Sequence, residues 1–291
     1  MTADLLARLA TLPDVGSVCE AARGEVDKLL FDRVLISRGA ELAGEAAFAA
    51  AQSAAVLEGA EFSYEGFRDG SALDASPMGR VADAALRVQR ELPALVDVWR
   101  VSPRQALARL HAVAAVGFAS TEELGRPRSS SGGSDLSTRP SSGGSELPTR
   151  PSSGVPALPD DPLRLGAAPD AAEVASRMEL LVDLITRPTE APALVVAGVV
   201  HAELAVLRPF TWGSGLVARA AGRLTLAARI LDPDFLVPVE AGIVAIGRPK
   251  YVAALRGFAT GQPEGLAAWL IFHADAVAIA ARQCHARLRS A

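Results

Sequence analysis

Between Leu207 and Arg219 the chain reads Leu-Arg-Pro-Phe-Thr-Trp-Gly-Ser-Gly-Leu-Val-Ala-Arg. Pro209 ends any helix that precedes it, because its ring disfavours the α conformation at the residue before. Gly213 and Gly215 let backbone approach a ligand closely, and free N–H groups at the start of a following helix favour an anion. Arg219 stands about one turn into that helix, within reach of the same anion. Ser214 lies between the glycines and Arg208 heads the loop. These residue types suit the binding of a phosphate or a nucleotide. Two other chemistries fail on spacing. A nucleophile elbow needs glycines two before and two after its serine, where this chain has Trp212 and Leu216. A P-loop needs Gly-Lys-Ser/Thr after a strand, and the loop has no lysine.

The elements that must position this loop read as helices almost throughout. Apolar periodicity and proline placement predict helices over 16–37, 38–57, 78–98, 103–116, 169–185, 191–207, 216–231, 248–259 and 263–287. Residues 239–246 read as a short strand or a loop. The fold class is therefore all-α. The chain has 291 residues, 50% of them hydrophobic and only 5% aromatic, so the core is built mainly of Ala, Leu and Val. Net charge is −4 with the basic residues dispersed, which argues against a nucleic-acid partner. Cys19 and Cys284 suit a reduced, cytoplasmic setting better than a disulfide framework. The first residues lack the basic region and apolar run of a signal peptide. The most apolar run, residues 193–207, contains His201 and Glu203 and is too short to span a bilayer, so it reads as a buried helix and no membrane is expected.

Composition divides the chain into three parts. Residues 1–125 are N-terminal helices, and 163–291 carry the loop and its flanking helices. Between them, 126–162 is a Ser/Gly/Pro-rich insertion containing the tandem units SSGGSDLSTRP and SSGGSELPTRP. Such units bury too little apolar surface to offset chain entropy, so a disordered, low-complexity insertion is expected.

The order helix, Pro-Phe, Gly-x-Gly, Arg resembles the Fic (Fido) domain family, whose signature is His-Pro-Phe-x-(Asp/Glu)-Gly-Asn-Gly-(Arg/Lys)-x-x-Arg. Pro209, Phe210, Gly213, Gly215 and Arg219 match it. Arg208 replaces the histidine, Trp212 the metal-binding acid, Ser214 the asparagine and Leu216 the first basic residue. Glu58-Gly59, within 43–59, is similar to the family's inhibitory helix, with Ser53 one place from the expected serine slot. Gly125–Arg128 resembles the start of the flap that clamps target segments, and residues 251–272 the C-terminal helices. The likeness runs from about residue 38 to 281 and implies a Fic-like helical bundle, as a degenerate member lacking the signature histidine.

The departures bear on chemistry. In the family, the histidine deprotonates a target hydroxyl that attacks a nucleotide α-phosphate, and the acid holds Mg²⁺. Arg208 cannot serve as that base near neutral pH, and Trp212 offers no oxygen to Mg²⁺. No AMP transfer, no catalytic residue and no metal at the usual position are therefore expected. What the resemblance leaves is a ligand site of Arg208, Gly213, Ser214, Gly215 and Arg219 for a nucleotide or phosphorylated ligand, with Glu58 inhibitory. It also implies that Glu58 and Arg219 form an ion pair. Three classes stay open: a regulatory binding module, a transferase of altered donor chemistry using Ser214, Glu203 or Glu240, and a structural protein that pairs with a protein partner or a second copy. His201 is expected to pack inside its helix, and His111, His273, His285 and Cys284 lack the spacing of a metal site.

Overall fold

In the computed structural model the described residues are 4–128 and 161–290, and the repeats at 130–151 lie outside them. Among the described residues there are twelve helices: α1 (Leu5–Leu9), α2 (Val15–Leu30), α3 (Leu35–Leu57), α4 (Tyr64–Asp69), α5 (Pro77–Val101), α6 (Pro103–Ala115), α7 (Ala171–Thr186), α8 (Ala193–Leu207), α9 (Ser214–Ala228), α10 (Val239–Ile246), α11 (Arg248–Ala259) and α12 (Pro263–Ser290). No strand forms among the described residues, so the all-α expectation holds.

The antiparallel pair α8 and α9 is the centre of the bundle, with α5, α6, α11 and α12 packed around it. Nearly every residue of α8 is buried, on all sides of the helix. That is how an apolar helix without an amphipathic stripe must sit in water. Among the described residues the helix long and apolar enough to cross a bilayer is α12 rather than α8, with mean hydropathy 1.4 over its best window. Here α12 is a core helix, with 61% of that window buried against neighbours that include α2, α10 and α11.

Three local expectations are corrected. Residues 239–246 form a helix, α10, buried between α12 and α3, where packing outweighs the strand preference of its Val and Ile residues. The α2–α3 break falls at 31–34 rather than at 37–38. Asp32 fixes it, accepting the Val34 N–H at 3.0 Å while pairing with His285 and Arg289 of α12. The edges of the expected insertion, 126–128 and 161–162, are seated against the motif loop.

Candidate functional site

The motif loop is short because both helices that bound it end abruptly. Arg208 takes a left-handed conformation (φ 45°) and its N–H closes on Leu204, after which Pro209 cannot continue α8. Gly213, at φ 73°, opens α9 two residues earlier than its apolar pattern suggests. Ser214 holds the turn together: its hydroxyl accepts the Phe210 N–H at 3.0 Å and donates to the Phe210 carbonyl at 3.1 Å. Its oxygen is thus engaged within the loop. Phe210 is buried and stacks on His111 of α6 at 4.1 Å. Trp212 stacks on Phe118 at 3.7 Å, and the Arg80 guanidinium covers the same Phe118 ring. An indole used in this way supplies no ligand to a divalent cation, so the residues at this position do not fit the Mg²⁺ that the resemblance would place there.

Arg219 rises from the second turn of α9 with its side chain 1% exposed. Its partner is Glu58, whose Oε1 accepts from Arg219 Nη2 at 2.5 Å. The expected ion pair is present. Glu58 is brought there by the end of α3. Ala60 N–H bonds the Ala55 carbonyl and Gly59 N–H the Val56 carbonyl, a Schellman ending that requires Gly59 at φ 90°. The carboxylate then lies against Gly215, where a Cβ would come 2.4 Å from Oε1 and 3.2 Å from Arg219 Nη1. An acid at the C-terminal end of its own helix is disfavoured, but at the N-terminal end of α9 it is favoured. Arg219 Nε and Nη1 are buried without partners. Burial alone would depress the Arg219 pKa, yet Glu58, Tyr251 and Glu240 together raise it above its usual value.

Arg208 faces the same cavity and meets a second carboxylate, Asp161, with Nη1 at 3.3 Å. Arg128 stands behind it. Its backbone N–H donates to the Pro209 carbonyl, and its guanidinium to the carbonyls of Leu207, Arg208 and Pro169. Desolvation, and then repulsion from Arg208, lowers the Arg128 pKa. The cavity enclosed by the loop, Glu58 and 161–165 holds about 40 Å³, room for only a few waters. Across Glu58, Asp161, Pro162 and Leu163 lies a larger cavity of about 610 Å³, bordered by Arg164, Arg248 and Arg256.

The remaining candidates lie elsewhere. Glu203 forms a two-pronged pair with Arg177 at 2.7 and 2.9 Å, tying α8 to α7. Glu240 is fully buried and accepts from Gln89 at 3.1 Å, and Gln89 in turn binds Arg223. Neither acid lines the loop cavity. His201 is buried as expected, but its hydrogen bond leaves α8 for α11, with Nε2 2.8 Å from the Tyr251 hydroxyl, and burial drives its pKa well down. The sequence reading missed Asp161 and Phe118, and placed Arg128 at the start of the flap without its contacts to the loop. Asp161 looked like part of the low-complexity stretch, and only its position before Pro162-Leu163, an apolar step, sets it apart.

No family model and no curated protein matches the chain. Solved structures do. A Fic family protein from Desulfovibrio desulfuricans G20 superposes with a TM-score of 0.66 at 21% identity, over 94% of this chain and 75% of that one. Residues 134–508 of Fic-1 from C. elegans superpose with a TM-score of 0.63 at 14% identity, covering 95% and 73%. A glutamate-to-glycine variant of that fragment gives 0.62 at 16% identity, with the same coverage. The chain has a Fic-like fold.

Proposed function

We propose that this Fic-fold chain is a regulatory module that binds a nucleotide or another phosphorylated ligand and carries out no AMP transfer. The observation that carries the reading is the seat of Glu58. A carboxylate sits between Arg219 and Gly215 at the head of α9, where an external anion would be held. Two of the three Arg219 guanidinium nitrogens, Nε and Nη1, are still free for a second oxygen. The larger cavity, of a size typical for small-molecule sites, would take the rest of a nucleotide once Glu58 withdrew. Transfer is excluded from the reading because the loop holds a guanidinium where a proton acceptor is needed and an indole where a metal ligand is needed. With Ser214, Glu203 and Glu240 each engaged elsewhere, no observation favours altered transfer chemistry.

Thermal unfolding of wild type and Glu58→Gly, with ATP and with pyrophosphate, tests it. Glu58→Gly is expected to melt below wild type, because it strands Arg219. Ligand at about a hundred times its Kd should then raise the variant's Tm by roughly 6 °C and leave wild type nearly unchanged. No shift in either protein would mean that the loop is a structural relic. Labelling of any protein by wild type with α-labelled ATP would overturn the non-catalytic reading.

A further inference from the structure

Arg208 and Asp161 meet poorly for two partly buried charges. Arg208 touches the carboxylate through Nη1 at 3.3 Å, while its Nε is buried without a partner. Asp161 Oδ2 is shared with the Gly166 N–H at 2.9 Å, and Oδ1 is likewise buried and unpartnered. A guanidinium edge matches a two-oxygen anion side-on, through Nε and Nη2, as Arg177 binds Glu203. That edge of Arg208 is left without an oxygen at Nε, because Asp161 meets the guanidinium only at Nη1, on its other side.

Asp161 belongs to a segment held down by few groups. Arg248 and Arg256 donate to the carbonyls of Pro162 and Arg164, and Leu163 is buried beneath them. Arg164 itself sits at φ 53°, a left-handed conformation that disfavours a residue with a side chain. Residues 161–163 form part of the wall between the small cavity at the loop and the large one beside it. Moving them would join the two spaces and free the Arg208 edge together.

We propose that the Nε edge of Arg208 is a seat for a two-oxygen anion of the phosphate or pyrophosphate class, and that residues 161–166 are a latch that covers this seat in the closed state and holds Arg208 through Asp161. The proposal rests on the anion-binding reading above and adds a second internal carboxylate, independent of Glu58, that must leave before ligand enters. Arg208 thereby gains a role at the position where a proton acceptor is missing.

Full-length Asp161→Asn keeps an oxygen for the Gly166 N–H and removes only the charge. Arg208→Gln removes the same pair from the other side. In each, amide exchange at 164–166 and tryptic cleavage after Arg164 should rise roughly fivefold, while exchange in α8 and α9 stays at wild-type level. The double variant should open no further than either single one. Unchanged exchange in both single variants overturns the latch. The seat is read with pyrophosphate by thermal shift. Asp161→Asn in a Glu58→Gly background should bind severalfold more tightly than Glu58→Gly alone, and adding Arg208→Gln should remove that gain. If Glu58→Gly responds to pyrophosphate and Asp161→Asn adds nothing, the seat fails while the anion site stands. If no background responds, both fail.

Discussion

Arg219 and Glu58 are unequal partners, and the inequality can be measured. The arginine side chain is 1% exposed and the glutamate 10%. Without Arg219, Glu58 would keep the favourable pole of α9 and some access to water. Without Glu58, Arg219 would be a buried charge with no carboxylate against it, and its Nε and Nη1 are already unpartnered. Breaking a buried pair from the side that strands a charge costs roughly 3–5 kcal/mol. Glu58→Ala should therefore lower unfolding free energy by about that amount. Arg219→Met, which strands the better-solvated partner, should cost about half as much, and the double variant less than the sum of the two. Urea titrations of the three variants check this. An Arg219→Met cost equal to or above that of Glu58→Ala would show that the helix pole and solvent do little for the carboxylate.

At the scale of elements, the site is the meeting of one helix end with another helix start. The Schellman ending of α3 delivers Glu58, and the absence of a side chain at Gly215 receives it. Gly215→Ala leaves both charges in place but puts a Cβ 2.4 Å from Oε1, so the carboxylate must swing away. The expected cost is about 1–3 kcal/mol. Unlike Glu58→Gly, this variant should not respond to pyrophosphate, because the new methyl occupies the cradle itself. A pyrophosphate shift in Gly215→Ala as large as in Glu58→Gly would place the anion elsewhere. Much of this junction was legible in the sequence, because proline and paired glycines mark helix ends by their own backbone limits, and Glu58-Gly59 carries its own ending. What stayed hidden depends on contacts distant in sequence. The α2–α3 break has no glycine or proline and is held by Asp32 reaching α12. The helix α10 is β-branched enough to read as a strand until burial between α12 and α3 is known. Asp161 falls beside repeats whose composition masks its role, and Trp212 gives no sign of its partner Phe118.

Over the whole molecule, the buried polar groups set how stability answers to pH. His111, His201 and His273 are buried, and desolvation is the first cause of each lowered pKa, to about 4 for His111 and His273 and well below the usual value for His201. His201 and His273 sit with Tyr251, Trp269 and Phe272 in one aromatic cluster joining α8, α11 and α12. A histidine held neutral in the fold takes up a proton on unfolding. Its stabilising share is complete above about 6.5 and is lost as pH falls toward about 4. Asp232 acts oppositely. Burial raises its pKa to about 6 despite Arg223 nearby, so its share is present below about 4 and is lost as pH rises through about 6. Three histidines outweigh one aspartate, and unfolding near pH 5 should take up about two protons net. Unfolding free energy should therefore climb between pH 4 and 6.5. His273 is 1% exposed, and its protonation alone costs roughly 3 kcal/mol. His273→Gln, which cannot take that proton, should flatten the climb by about one proton's worth, read as the slope of urea-derived unfolding free energy against pH. A wild-type slope that is flat or falls across this range, or a His273→Gln slope as steep as wild type, would mean that the histidine cluster admits protons in the folded state and does not set the acid limit of the fold.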